Sequence, residues 1–198
     1  TNSIQHVRLS DKDYLLVNDG VKAYILDRRG AERVKLQSDF QISKNNIFYL
    51  QEFSNKPFLL ISDNQGYIKK IGFDGYLKSL KPSEKLSSNH YCIVTQVSNP
   101  IVYIYVDDNK ISVNNQDMKC IFIKHTEDKN LVPILSDNQL ALYSATSSKA
   151  WIFDLKQLDV PEQSFITQSR PYIGKLKPMP RNYLVVYNNE KLICYELN

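Results

Sequence analysis

The sequence has no apolar run that approaches the roughly 20 residues needed to cross a bilayer, and no basic, apolar leader opens it. We therefore predict no membrane span. The chain begins at Thr1 rather than at a methionine, so we expect it to have been trimmed or processed. A signal peptide removed in that step is compatible with this sequence, and the compartment stays open.

Cysteine is scarce. Cys92, Cys120 and Cys194 are widely spaced, odd in number and form no Cys-x-x-Cys pair, which argues against a disulfide framework. We expect buried free thiols instead. The sequence also contains no Asn-x-Ser/Thr glycosylation acceptor. Together these absences favour a reducing compartment such as the cytoplasm.

Concentrated positive charge is also missing. The net charge is +4 and the pI about 8.8, well short of the basic patches of nucleic-acid-binding proteins, so we predict no nucleic-acid partner. No window carries a sustained apolar stripe of helical period. In contrast, 13 tyrosines and 8 phenylalanines favour strands.

What the sequence does contain is an internal repeat. An apolar run followed by a polar turn, DYLLVNDG near residue 14, returns as PFLLISDNQG near residue 58 and as IVYIYVDDN near residue 102. Weaker copies, LALYSA and YLVVYN, follow near residues 140 and 183. Five copies with a period of about 42 residues account for the whole chain.

Each copy contains up to four strand-length runs joined by turns rich in Asn, Asp and Gly. In the second copy the predicted strands are residues 47–51, 58–62, 67–73 and 76–80.

The second run of each copy is apolar at successive positions, as in YLLV, FLLI, VYIYV and YLVV. In a strand with one face in water, apolar and polar residues would alternate, so we expect both faces of these strands to be covered. Repeated four-stranded units covered on both faces pack against a neighbour before and behind, which is the radial stacking of a β-propeller. A two-sheet sandwich, the structural competitor, would leave the repeat unexplained.

The patterns LLVNDGVKAYILDRRG and LLISDNQGYIKKIGFDG resemble the propeller repeats of the pyrroloquinoline-quinone type and of related quinoprotein-like scaffolds. The resemblance covers the first two copies well, the third and fifth in part, and the fourth poorly. The tryptophan that commonly closes such repeats is missing, with Leu36 and Leu80 near its place. The resemblance implies the fold, and we carry over no cofactor and no catalytic residue.

We therefore predict an all-β fold, a β-propeller of about five four-stranded antiparallel blades in a single domain over residues 1–198. The blades are expected near residues 4–37, 46–81, 90–124, 131–167 and 171–198. The fifth copy ends before an outer strand, so its last run, KLICYEL, has a free edge that invites pairing. We expect a five-bladed ring whose last edge is paired by a strand from elsewhere. The alternative is that the chain is part of a larger propeller.

Catalytic and metal-binding motifs are missing. Residues 107–117 superficially resemble a calcium loop but lack its glycine and its closing glutamate. The histidines, none of them spaced as metal ligands, are His6, His90 and His125. The candidate acids, in which no spacing singles out a pair, are Glu52, Glu84 and Glu127. We predict no catalytic residue, no metal and no cofactor, and the sequence assigns no enzyme activity.

Basic residues cluster mildly on the third and fourth runs of the first two copies, which would form the outer edges of the blades. They are Arg28, Arg29, Arg33, Lys35, Lys69, Lys70 and Lys78. Lysines on an outer edge are expected as protection against unwanted strand pairing. The alternative is an acidic partner along this rim.

Partners of a propeller usually contact the loops that join one blade to the next. In this sequence those loops and the residues beside them supply aromatic and basic side chains, which are favoured at interfaces. The predicted binding residues are Phe40, Lys44, His90, Tyr91, Arg170 and Tyr172.

Two functions stay open. The first is a non-enzymatic interaction scaffold that binds a protein or peptide across the loop face. The second is a small-ligand or carbohydrate binder, or a glycosidase, that uses the central channel. A pocket of convergent aromatics and carboxylates would favour the second, and a flat, aromatic-rich face would favour the first.

Overall fold

The structure, a computed structural model, describes residues 4–42, 46–52, 56–97, 100–159, 162–175 and 181–197. Across these residues the regular elements are β-strands, and there is no helix. The first eight strands are β1 (Gln5–Leu9), β2 (Lys12–Asn18), β3 (Ala23–Leu26), β4 (Glu32–Val34), β5 (Tyr49–Gln51), β6 (Phe58–Ser62), β7 (Ile68–Gly72) and β8 (Leu77–Leu80). The next eight are β9 (Tyr91–Gln96), β10 (Ile101–Asp107), β11 (Lys110–Asn114), β12 (Cys120–His125), β13 (Val132–Ser136), β14 (Gln139–Ser144), β15 (Lys149–Asp154) and β16 (Gln163–Ile166). The last three are β17 (Tyr172–Lys175), β18 (Asn182–Asn188) and β19 (Lys191–Glu196).

The strands form five antiparallel sheets in chain order. The first sheet holds β1–β4, the second β5–β8, the third β9–β12, the fourth β13–β16 and the fifth β17–β19. In every sheet, strands that follow one another in the chain are also neighbours in the sheet. This confirms the predicted all-β chain of five repeated units. It also confirms that, within the described residues, the last unit has no outer strand.

The predicted strand boundaries in the second sheet are correct to within two residues, and those of β6 match at both ends. The first strand of this sheet begins later than predicted, at Tyr49. The reason is that the backbone of Phe48 bonds to Gln5 of the first sheet instead of joining a ladder. Phe48 N–H donates to Gln5 Oε1 at 2.8 Å, and Gln5 Nε2 donates to the Phe48 carbonyl oxygen at 2.9 Å.

The turn chemistry predicted from Asn, Asp and Gly is present. Asp63 Oδ1 accepts the backbone N–H groups of Gln65 and Tyr67, both at 2.9 Å, between β6 and β7. Gly66 in the same turn has a φ of +85°, which side chains with a Cβ rarely adopt. Asp27 accepts two backbone N–H groups in the same way between β3 and β4.

The chain divides into two compact units. Unit 1 comprises Thr1–Thr95, Ile101–Tyr105 and Val113–Ile121, and unit 2 comprises Gln96–Pro100, Val106–Ser112 and Phe122–Asn198. The single domain over residues 1–198 and the closure of a ring stay predictions.

In unit 1 the second sheet has an apolar core on each face. Leu59 and Ile61 pack in one cluster with Leu16 of the first sheet. Leu60 packs in another cluster with Tyr103 of the third sheet. Because side chains alternate across a strand, residues 59 to 61 enter the two cores in turn, which is why β6 is apolar at successive positions. Full burial of a side chain of this size is worth about 1.5–3 kcal/mol.

In unit 2 the fourth and fifth sheets pack face to face. Ala141 and Ile152 of the fourth sheet share a buried cluster with Leu184 and Val186 of the fifth. Leu184 and Val186 are two residues apart in β18, so they point to the same face.

The prediction that the second strands are covered on both faces is correct for β6 and β10 and wrong for β2 and β18. In β2, Leu16 is buried while Leu15 and Val17 are only half-buried. In β18, Val185 is half-buried between two buried neighbours. These apolar runs contribute one face to a core cluster, and the side chains of the other face are partly in water.

Candidate functional site

Phe40 lies in the connection between the first and second sheets and is half-buried. Its ring packs against the core cluster that contains Leu59 and Ile61, and Lys69 Nζ lies 5.5 Å from the ring centroid. A cation over an aromatic face is attracted by the ring quadrupole. Phe40 therefore keeps only part of its ring available to a partner. Lys44, predicted beside it, lies outside the described residues.

His90 is fully buried, at 0% exposure. Its Nδ1 lies 2.6 Å from the carbonyl oxygen of Ser87, and its Nε2 lies 3.1 Å from Ser62 Oγ. A carbonyl oxygen only accepts, so His90 Nδ1 donates to Ser87, and the Ser62 hydroxyl donates to the carbonyl oxygen of Asp63 at 3.2 Å. His90 thus links the second sheet to the start of the third and is not at the surface. Tyr91, the next residue and the first of β9, is half-buried.

The same kind of contact occurs one repeat earlier. Asn18, the last residue of β2, donates from Nδ2 to the carbonyl oxygen of Asn46 at 3.0 Å. The side chain of Asn46 continues the network, because its Oδ1 accepts the N–H of Cys92 at 2.7 Å. In both repeats the partners are 28 residues apart. Sequence reasoning missed this polar link, although the constant spacing between a strand end and the next sheet could have indicated it.

Ser62, His90 and Cys92 bring a hydroxyl, an imidazole and a thiol close together in unit 1. Burial raises the pKa of the Cys92 thiol to about 12, so the thiol stays protonated at neutral pH and is a poor nucleophile. Ser62, at 1% exposure, and His90 are both shut off from solvent. The cluster therefore has a structural role rather than a catalytic one.

Arg170 and Tyr172 lie in unit 2 and both are exposed: Arg170 is in the connection from the fourth to the fifth sheet, and Tyr172 is the first residue of β17. The connection is anchored just before them. Thr167 is fully buried, and the Gln168 N–H donates to the carbonyl oxygen of Tyr187 at 2.7 Å. An exposed arginine two positions before a tyrosine that is 52% exposed has the composition of an interface hot spot.

The ring of Tyr172 lies close to the backbone of its own strand. A Cβ atom placed on Gly174 would be 2.6 Å from the Tyr172 hydroxyl oxygen. Glycine at 174 therefore allows the ring to lie along β17, and a larger residue would displace it.

The strand β19 is the outer edge of the fifth sheet in the described part of the chain. It pairs with β18 over Tyr183↔Glu196 to Asn188↔Lys191, and no described strand lies on its other side. Leu192 on this strand is 76% exposed, and Tyr195 is 38% exposed. Each of the other four sheets has a fourth strand at the corresponding place. Among the described residues, the outer edge of β19 therefore has no strand partner, and it carries apolar side chains.

Two negative findings apply to the described residues. They hold no group of three or more His, Cys, Asp or Glu side chains arranged to bind a metal ion. They also form no helix with the length and apolar character that a membrane crossing requires.

Neither a protein-family model nor a curated protein matches this sequence. Solved structures do match the fold. BBS1N, crystallised in complex with ARL6DN, superposes with a TM-score of 0.59 at 11% identity, over 93% of this chain and 64% of that one. BamB from Moraxella catarrhalis superposes with a TM-score of 0.53 at 12% identity, over 96% and 57%.

PorZ, an essential bacterial surface component of the type-IX secretion system of Porphyromonas gingivalis, superposes with a TM-score of 0.54 at 10% identity, over 99% of this chain. This chain spans 64%, 57% and 26% of the three solved chains, less than two thirds of each. All three are β-propeller-type folds. At these identities the likeness bears on fold alone, and it shows that this chain has an all-β propeller fold with about five blades.

Proposed function

We propose that this propeller is a non-enzymatic interaction scaffold that binds a protein or peptide partner through the connections between its blades. The observation that carries the proposal is the pair Arg170 and Tyr172: both are exposed, Arg170 on an anchored connection and Tyr172 at the start of the strand that follows it. The crystal structure of BBS1N in complex with ARL6DN supports a protein partner for a chain of this fold.

The two side chains have complementary roles in this proposal. The Arg170 guanidinium has five donors in a planar fork and suits a carboxylate or a row of carbonyl oxygens on the partner. The Tyr172 ring buries a large area at little cost in side-chain entropy. In unit 1, Phe40 and Tyr91 are half-buried and each keeps part of its ring accessible, whereas His90 is buried and is not available to a partner.

We further propose that the partner adds a strand to the edge of β19. In the other four sheets the strand at this place is short, from 3 to 6 residues, and follows the third strand of its sheet. An extended segment of the partner that runs antiparallel to β19 would satisfy its edge and cover Leu192.

The alternative of a glycosidase is not supported by three cavities in the surface of unit 1. Such an enzyme needs two carboxylates across one pocket. Three cavities of unit 1 each have one carboxylate in their walls: Asp74 in one, Asp117 in the next and Glu84 in the third.

The test begins with affinity capture from an extract of the source cells, followed by purification of each captured protein for direct titration. We expect Arg170→Ala with Tyr172→Ala to weaken binding by about tenfold or more, as hot-spot truncations do. The control pair, Arg29→Ala with Val21→Ala, removes an exposed arginine and an exposed apolar side chain elsewhere and should leave affinity unchanged. Equal affinities for the two double variants, or no saturable binding by any captured protein, would overturn the proposal.

A further inference from the structure

A groove in unit 1 carries positive charge on neighbouring strands. The register of β7 and β8 places Lys70 directly opposite Lys78. Lys70 is also directly opposite Leu60 in β6, so the two lysines lie on the face of the second sheet that packs towards the third. Like charges directly opposite each other across a sheet are destabilising. This arrangement therefore costs the free protein some stability.

No ion pair among the described residues offsets that cost. Within the residues that the structure describes, Lys70, Lys78 and the nearby Lys81 take part in no ion pair. The contrast with Lys69, on the opposite face of β7, is direct: its Nζ lies 3.0 Å from a carboxylate oxygen of Asp63. One face of β7 thus has its charge paired, and the other face does not.

Aromatic side chains lie beside these lysines. Lys70 Nζ is 3.7 Å from the ring centroid of Phe58, a cation–π contact. Tyr76 follows on the same groove and is 51% exposed. The groove therefore combines ammonium groups with exposed ring surface.

The groove is large enough for several side chains of a ligand. Two adjoining cavities, of about 860 Å³ and 590 Å³, share Phe58 and Lys70 in their walls. These volumes are within the usual range of ligand sites. Four lysines and two aspartates line the two cavities, so their walls carry a net positive charge.

We propose that this lysine–aromatic groove binds an acidic segment of a protein partner that also carries an aromatic residue. The carboxylates would lie between Lys70 and Lys78 and remove their repulsion, and the partner's ring would pack against Phe58 and Tyr76. The proposal rests on the scaffold function proposed above and adds a second contact surface to it. It selects, for this part of the rim, the acidic-partner alternative over simple edge protection.

The probe is a fluorescein-labelled peptide, acetyl-Glu-Glu-Phe-Glu-Glu-Phe-Glu-Glu, titrated with the purified protein and followed by fluorescence anisotropy. A second peptide with glutamine in place of every glutamate is the ligand control. We expect the acidic peptide to bind at least about tenfold more tightly than the neutral one, with an affinity that falls as salt is added.

Lys78→Gln with Lys81→Gln should weaken binding of the acidic peptide by about tenfold. The matched control, Lys149→Gln with Lys156→Gln, removes the same charge from two other exposed lysines and should keep wild-type affinity. Thermal unfolding separates a binding defect from a folding defect. Because Lys78→Gln removes a repulsion, the first double variant should unfold at the wild-type temperature or above it.

Three results would contradict the proposal that the groove binds an acidic segment. They are equal affinity for the two peptides, equal loss of affinity in the two double variants, or tighter binding of a labelled 20-nucleotide thymidine strand. The last would indicate a nucleic-acid site. If the acidic peptide does not bind while binding of a captured protein still depends on Arg170 and Tyr172, only the groove proposal is wrong. If the peptide binds at the groove and Arg170→Ala with Tyr172→Ala has no effect on the captured protein, the loop proposal alone is wrong.

Discussion

His90 Nε2 lies 3.1 Å from Ser62 Oγ, across the same 28-residue spacing that separates Asn18 from Asn46 one repeat earlier. In each case a polar side chain at the end of a second strand bonds to a residue that lies one to three positions before the first strand of the next sheet. Consecutive sheets of unit 1 are therefore joined by buried hydrogen bonds as well as by apolar packing. A buried polar group that loses its partner costs about 1–3 kcal/mol.

We predict that His90→Ala lowers the free energy of unfolding by about 1–3 kcal/mol, because the buried contacts of its ring with the Ser87 carbonyl oxygen and with Ser62 Oγ are lost. Urea denaturation monitored by tryptophan fluorescence measures the change. Ser88→Ala, at an exposed position nearby, is the control and should stay within about 0.5 kcal/mol of wild type. A loss no larger than that of the control would contradict the structural role of His90.

Gly75→Ala should destabilise the protein more than Gly30→Ala does. The two glycines have nearly the same φ, +86° and +82°, so both substitutions carry a left-handed strain of about 1–2 kcal/mol. A Cβ at 75 would also lie 2.5 Å from the backbone oxygen of Lys35, whereas a Cβ at 30 meets nothing within 4 Å. Urea denaturation of both variants isolates that contact, and equal losses would argue against it.

The cysteines should differ in reactivity. Cys194 is exposed, whereas Cys92 is buried and burial raises its pKa to about 12. With iodoacetamide at about pH 8, close to the ordinary thiol pKa, mass spectrometry should find Cys194 alkylated first and Cys92 unmodified. In guanidinium chloride both should react. Comparable rates in the native protein would mean that Cys92 is not enclosed as described.

The free energy of unfolding should fall as the pH rises above about 9. Burial raises the pKa of Cys92 from 9.0 to about 12 and that of Tyr103 from 10.0 to about 12. Because the folded state holds these protons more tightly, their contribution is fully present below about pH 9 and is lost as the pH rises towards 12. Urea denaturation across this range should show a shallower decline for Cys92→Ala than for wild type. Parallel declines would exclude Cys92 as a cause.

Partner binding at the edge of β19 should slow hydrogen exchange there. We expect the backbone amides of residues 191–196 to exchange more slowly with a captured partner than without it, because an added strand accepts hydrogen bonds from them. The strand β4, Glu32–Val34, is also the outer strand of its sheet and should exchange at the same rate in both samples. Unchanged exchange over 191–196 would exclude strand addition.

Much of the fold could be predicted from the sequence because it depends on local patterns. The apolar runs located β6 at both ends, and the Asp and Gly residues located its turn, since a strand and a turn are decided by a few adjacent side chains. The connection before the fifth sheet was also predicted, and Arg170 within it is exposed. The start of β5 did not follow, because Phe48 bonds to a residue 43 positions away.

Burial and pairing were decided by tertiary structure. A histidine before a strand has the same local sequence whether it faces solvent or, like His90, bonds to a serine 28 residues earlier. The apolar pattern of β2 does not reveal that one of its faces stays half-exposed. Lys70 and Lys78 could be assigned to adjacent strands from the sequence, yet only the register makes them direct neighbours. A slip of one residue would place them on opposite faces of the sheet.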